Sequence, residues 1–199
     1  MAGHIEGILL AAGESRRMGF PKPLLWIGNE TFVEHLCRAI LPVVSRLIVV
    51  TGGYADRVRA AIPADSRIDA VMNPDYIRGQ LSSIKAGLRA ISLDADAAIV
   101  HLADHPLVRP ETFDRILDAY RTSDAPIIIA RCEGRRGHPG LFRRSIFDEL
   151  MAAPEDVGAR AVVQADPARV LYVDVDDPGV GLDLDTPADL VKAGLPPPP

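Results

Sequence analysis

Apolar and polar positions along the chain fall into a repeating order, a short apolar run followed by a stretch with helical spacing. The apolar runs are Ile5 to Leu10, Leu47 to Val50, Ile68 to Met72, Ala97 to Leu102, Ile127 to Ala130 and Val170 to Val173, with Ile68 to Met72 the weakest. Runs this apolar suit strands covered on both faces, as in a parallel sheet. Between them, Thr31 is placed to cap a helix reaching about Leu41, with Phe32, Val33, Leu36 and Ile40 on one side. Further helical patterns run from Ala55 to Ile62, Ser82 to Ile91, Pro110 to Tyr120, Ser145 to Met151, Gly158 to Ala165 and Pro187 to Ala193. Pro110 suits a first turn. The alternation predicts an α/β fold: a three-layer, mostly parallel sheet with helices on both faces. One domain is expected over residues 1–193, with residues 194–199, Gly-Leu and four prolines, as a frayed, disordered tail that joins no core. Open parallel sheets bind ligands beyond the carboxyl ends of their strands, so chemistry is sought directly after each apolar run.

Composition narrows the partners. A chain of 199 residues with 48% apolar and 25% charged residues is an ordinary globular domain. Its 22 basic and 27 acidic residues give a net charge of −5, which argues against the basic face that nucleic-acid or membrane-surface binding needs. No apolar run approaches the roughly 20 residues of a membrane span. The run from Ile5 to Ala12 lacks the basic flank of a signal peptide. Cys37 and Cys132 form no CxxC or zinc-spaced set, which fits a reducing, cytoplasmic location. Cys37 lies on the apolar side of its helix, as a core residue rather than a nucleophile. A small-molecule partner remains.

The stretch after the first run is LAAGESRRMGFPKPLL, Leu10 to Leu25. Small residues let a backbone approach a ligand and turn its N–H groups inward. Arg16, Arg17 and Lys22 gather against a single acid, Glu14. In an acidic protein such a loop reads as a polyphosphate cradle, although a solvated surface loop would use the same residue types. A Walker loop needs a glycine followed directly by lysine, and here Phe20 follows Gly19. No GxGxxG triplet of the dinucleotide fingerprint occurs.

The loop resembles the signature LAxGxSxRMGxxK of the MobA-like nucleotidyltransferases, and is most similar to the branch containing the molybdenum cofactor cytidylyltransferases. The resemblance implies a Rossmann-like fold of the nucleotide-diphospho-sugar transferase type. It further implies that Leu10, Ala11, Ala12 and Gly13 line the nucleotide and that Arg17 and Lys22 hold its phosphates.

Other segments extend the resemblance. Ala97 to Leu102 leads into Ala103-Asp104-His105-Pro106. An acid directly after a strand can hold Mg²⁺ or simply cap a helix; the family's LADQP segment assigns Asp104 to the metal, and His105 stands where Gln or Met is usual. In Gly181 to Leu190, alternation puts Asp183 and Asp185 on one side. The family's DxDTPxDL element makes Asp185 the second metal-facing carboxylate and Asp183 the weaker candidate, while Asp189 reads as a first-turn acid. Asn73 to Ile84 resembles the base-binding segment NxxxxxGxxSSxxxG. Gly79 would allow close approach, and Ser82 and Ser83 would face base or ribose, or one of them cap the helix. Thr51-Gly52-Gly53 would border the base or form a plain turn. Gly137-His138-Pro139 resembles the family's GHP element on the acceptor side, where His105 and His138 are the acceptor-facing candidates. His101 and His105 lack zinc-ligand spacing, which argues against a zinc site with His138 and Asp104.

Together these readings predict a Mg²⁺-dependent nucleotidyltransferase. It would bind a nucleoside triphosphate, CTP favoured, and a small-molecule acceptor, molybdopterin. Arg17, Lys22 and Asp104 carry the catalytic roles. A sugar- or polyol-phosphate nucleotidyltransferase is the alternative within the class. A non-catalytic nucleotide-binding regulatory protein, or an oxidoreductase, is the alternative outside it.

Overall fold

The computed structural model describes residues 3–155 and 157–199. Its centre is a seven-stranded sheet in the order β5-β4-β1-β6-β8-β7-β9. The strands are β1 (Ile5–Ala11), β4 (Arg46–Thr51), β5 (Ile68–Met72), β6 (Ala97–Leu102), β7 (Ile127–Cys132), β8 (Arg135–Arg143) and β9 (Val170–Asp174). β2 (Trp26–Ile27) and β3 (Glu30–Thr31) form a separate small hairpin. The helices are α1 (Phe32–Ile40), α2 (Ala55–Ala61), α3 (Gln80–Ala90), α4 (Pro110–Thr122), α5 (Phe147–Ala152), α6 (Arg160–Ala165) and α7 (Pro187–Lys192). Each expected run forms a strand and each helical pattern a helix, with ends shifted by a few residues.

The alternation within β1 assigns its side chains to two faces. Ile5, Leu9 and Ala11 join a cluster with Val33, Leu36 and Ile40 of α1 and Phe113 and Ile116 of α4. Ile8 and Leu10 join the opposite cluster with Leu81, Ile84 and Leu88 of α3 and Phe147 and Leu150 of α5. Two apolar layers therefore enclose the sheet, which accounts for strands buried on both faces. α3 lies close to β1 because Gly87 has no side chain: a Cβ there would come within 2.6 Å of Ile8.

β1 pairs in parallel with β4 on one side and β6 on the other. Successive connections leave β1 in opposite directions, so its carboxyl end opens into the crevice where such sheets bind ligands. β8 was not expected from the sequence and is antiparallel to both β6 and β7. Its charged start and its Gly137, Pro139 and Gly140 hide it from a pattern search. The pairing with β7 shifts register between Ile129 and Arg131, opposite the proline-containing stretch.

A third apolar cluster joins distant parts of the chain: Met18 of the first loop, Leu25, Phe32, Leu184 and Leu190. The sequence predicts residues 194–199 as a tail that joins no core, but Leu195 packs on this cluster. Gly194 takes φ +70°, and Leu195 N–H donates to the Leu190 carbonyl at 2.9 Å, a glycine closure of α7. Among the described residues no helix is long and apolar enough to cross a membrane.

Candidate active site

The first loop is folded on Ser15, at φ +53°. Its carbonyl accepts from Met18 N–H at 3.0 Å and Gly19 N–H at 3.1 Å, and its Oγ accepts from Lys22 N–H at 2.9 Å. These bonds curl the loop back over β1 and aim Lys22 inward. Ser15 stood in the motif but was not singled out from the sequence; the loop's geometry shows its use.

Lys22 Nζ lies 2.5 Å from Asp185 Oδ1 and 3.1 Å from Asp104 Oδ2. Arg17 reaches the other Asp185 oxygen at 2.8 Å. Two carboxylates remote in sequence thus converge on one ammonium. Met18 and Leu184, each buried in the third cluster, explain why: they pin the neighbours Arg17 and Asp185 side by side. Asp189 Oδ2 accepts from Thr186 N–H at 2.8 Å and Asp185 N–H at 3.2 Å, closing a capping box at the start of α7. Leu184 N–H donates to the Asp104 carbonyl at 2.9 Å, tying the two acid-bearing segments together. Burial opposes ionisation of Asp185, but the hydrogen bond and charge of Lys22, aided by Arg17, outweigh it and hold the carboxyl below its usual value. Asp183 is exposed and lies outside the cleft lining.

A cleft of about 370 Å³ opens at these groups. Of the expected residues, Leu10, Ala11, Ala12, Gly13, Arg17, Lys22, Gly79, Ser83, Asp104 and Asp185 line it. Tyr76 and Gln80 line it as well and were not expected. Tyr76 rests on Gly52, where a Cβ would come within 2.8 Å of the ring, so the Thr51-Gly52-Gly53 turn supports the aromatic wall from behind. Asn73 and Ser82 are behind the wall too. Asn73 Nδ2 donates to Ser82 Oγ at 2.9 Å and Ser83 Oγ at 3.0 Å, and Ser82 Oγ lies 2.8 Å from the Gly79 carbonyl. Both are buried and hold the Gly79 turn, at φ +106°, from which α3 starts. The amino end of α3 therefore faces the cleft, a position that favours anions.

The histidines sit elsewhere. His105 lines neither this cleft nor the next cavity and is 7% exposed. His138 lines a second cavity of about 470 Å³, with Arg136, Phe142, Glu155 and Arg160, and Gln80 borders both. His101, His105 and His138 pack edge to face, with ring centroids 5.1–6.3 Å apart. Burial first, then the neighbouring imidazoles, pushes His101 well below 6.5 and His138 down to about 4, so both are neutral at pH 7. Cys37 is buried, its thiol pushed up to about 12 mainly by burial, which rules it out as a nucleophile.

Two hard carboxylates converging where a lysine ammonium fits between them suit a small divalent cation that takes its remaining oxygens from phosphate and water. No group of three or more His, Cys, Asp or Glu able to hold a metal occurs among the described residues, so the donor set does not suit a closed zinc site.

A switch-point crevice combining a cationic glycine loop, a helix amino end and paired carboxylates defines a phosphate-handling nucleotide enzyme. The comparisons agree. The family model of the MobA-like NTP transferase domain matches residues 7–170, and the chain belongs to this nucleotidyltransferase family. Asp185 lies beyond the matched stretch. The molybdenum cofactor cytidylyltransferase of Escherichia coli is 30% identical over 95% of each chain. Nicotine blue oxidoreductase of Paenarthrobacter nicotinovorans is 31% identical over 92% of each. Rv0371c of Mycobacterium tuberculosis superposes with TM-score 0.83 at 32% identity, covering 96% of this chain and 97% of that one; its manganese complex matches at 30% identity and TM-score 0.78, covering 95% and 97%.

Proposed function

We propose that the protein transfers a nucleotidyl group from a nucleoside triphosphate, with CTP favoured, to a phosphorylated acceptor, molybdopterin, and releases pyrophosphate. The observation that carries this reading is Lys22 between Asp104 and Asp185 on the wall of a cleft that begins at Leu10–Gly13. An acceptor phosphate oxygen attacks the α-phosphorus; the new P–O bond forms as the bond to the bridging oxygen breaks, and pyrophosphate leaves. Such an acceptor is already ionised near pH 7, so no general base is needed. Arg17 and Lys22 neutralise the charge that moves onto the leaving pyrophosphate. Asp104 and Asp185 would hold Mg²⁺, which supplies further charge neutralisation across the phosphates when bound. With its two carboxylates engaged there, the Lys22 ammonium would be free to pair with phosphate oxygens. Tyr76, Gly79 and Ser83 receive base and ribose. The acceptor occupies the second cavity, beside His138, with Gln80 between the two substrates. The free, buried Cys37 and Cys132 fit a reducing cytoplasm.

The oxidoreductase relative raises a redox alternative. The absent GxGxxG fingerprint and the cations Arg16, Arg17 and Lys22 lining the cleft favour nucleotidyl transfer over it. The test is pyrophosphate release from CTP, GTP, ATP and UTP with Mg²⁺, offered molybdopterin or a polyol phosphate. CTP with molybdopterin is expected to turn over fastest. A polyol phosphate outrunning molybdopterin would replace the acceptor, and no release with any pair would overturn the reading.

A further inference from the structure

The turn carrying Asp104 is fixed from outside the cleft. We propose that His101 is the positioning residue for the Asp104 carboxylate, an inference that rests on the metal role proposed for Asp104. His101 lies on β6 and is 0% exposed. Its Nε2 is 3.1 Å from the carbonyl of His105, the residue directly after Asp104. A carbonyl only accepts, so this partner assigns the ring proton to Nε2. Nδ1 is buried and has no partner. The imidazole thus makes one hydrogen bond, and that bond goes to the Asp104 turn.

The Asp104 carboxylate meets Lys22 Nζ at 3.1 Å, and the backbone of the turn is otherwise held by backbone alone. Ala103 N–H donates to Leu10 at 3.0 Å, His105 N–H to Leu102 at 3.2 Å, and Leu184 N–H to the Asp104 carbonyl at 2.9 Å. His101 makes the only side-chain hydrogen bond to the backbone of residues 102–105 among the described residues. Burying an imidazole with half its polar atoms unmet is costly, and an apolar side chain would pack against Phe113, whose ring centroid is 5.1 Å away, without that cost. What the histidine adds is the pin on the His105 carbonyl. Released, the turn would let the Asp104 carboxylate drift. A small divalent ion with strict geometry tolerates such drift poorly, whereas base and ribose contacts on the other wall do not sense it.

The test compares H101L, which keeps bulk and loses the donor, with H101Q, whose amide nitrogen reaches about as far as Nε2. Mn²⁺ binding is read by electron paramagnetic resonance in the presence of CTP or GTP, whichever the wild type binds, without acceptor. Nucleotide binding in EDTA is read by calorimetry. H101L is expected to bind Mn²⁺ about 10- to 100-fold more weakly, as loss of a partner behind a ligand typically does, with nucleotide affinity in EDTA unchanged and H101Q restoring most of the loss. Wild-type Mn²⁺ affinity in H101L, equal loss in H101Q, or an equal loss of nucleotide in EDTA would overturn it. Should H101L fail to fold, H101N replaces it, its shorter amide being out of reach; Mn²⁺ affinity equal to that of H101Q then overturns the proposal. A wild type that takes up no Mn²⁺ with either nucleotide would instead sink the nucleotidyltransferase reading, and the proposal with it.

Discussion

At the scale of the residue, Lys22 is the counter-ion of two facing carboxylates, and the proposed reaction also gives it the leaving phosphates to neutralise. Lys22→Ala is expected to lower turnover about 10²- to 10³-fold, as loss of a preorganised charge-stabilising group does. It should also destabilise the protein in EDTA by about 2 kcal/mol, because Asp104 and Asp185 are left facing each other, and Mg²⁺ should restore part of this. Denaturant titration with and without Mg²⁺ reads both effects; a mutant as stable as wild type in EDTA would mean the ion pairs contribute little. The buried histidines give a second prediction. His138 has a native pKa of about 4 against 6.5 unfolded, and His101 is lowered in the same direction. Between those values the unfolded chain binds more protons, so stability rises with pH there. On acidification from pH 7 to pH 5, His138 alone should cost on the order of 2 kcal/mol, with His101 adding to the loss in the same direction, visible as a falling urea midpoint. The depressed Asp185 works in another window: its contribution is present above the ordinary 3.8 and is lost only as pH falls through its lower native value. A midpoint unchanged at pH 5 would mean that the imidazoles titrate normally.

At the scale of the element, helix starts hold the site's parts at their angles. Asp177, from the loop after β9, caps α4 across 68 residues of sequence, its Oδ2 accepting from Arg109 N–H at 2.9 Å and Thr112 Oγ1 at 2.6 Å. Asp177→Ala leaves buried donors unmet and is expected to cost about 2–4 kcal/mol. The change lies away from the cleft, so nucleotide affinity should hold; a melting temperature within a degree of wild type would refute the cap. The box at Thr186 and Asp189 differs, because Asp189 also receives the Asp185 N–H. Thr186→Ala should cost about 1 kcal/mol of stability and, by loosening Asp185, weaken metal binding as well.

At the scale of the whole molecule, the site is assembled from four regions: the first loop, the Gly79 turn with the start of α3, the end of β6 and the segment before α7. Ligands that bridge them should stabilise the fold as a unit. Mg²⁺ with nucleotide at 100 times its Kd should add about 2.7 kcal/mol, or roughly 5–10 °C in Tm for a chain of this size. Either ligand should tighten the other by the same factor. A thermal shift of equal size with nucleotide in EDTA would show that binding does not involve the metal.

The local chemistry was legible in the sequence. Apolar runs and helical spacing determined the strands and helices, because burial on both faces leaves a direct compositional trace. The first loop, Asp104, Gly79, Ser83 and Asp185 were marked by motifs whose residue types the cleft uses. β8 was not legible: its only large apolar residues, Leu141 and Phe142, follow Arg135, Arg136, Gly137 and Pro139, and only the slot between β6 and β7 makes that stretch a strand. Nor could the sequence separate Ser83, which lines the cleft, from Ser82 and Asn73, which hold the turn behind it. Adjacent residues on a helix start point in different directions, and the direction is set by where the helix docks. His105 and His138 were both acceptor candidates in the sequence, yet only His138, its ring otherwise enclosed, borders the second cavity. That Lys22 lies between Asp104 and Asp185 was beyond any local pattern. It depends on Met18 and Leu184 sharing one apolar cluster, and burial brings such residues together whatever their separation along the chain.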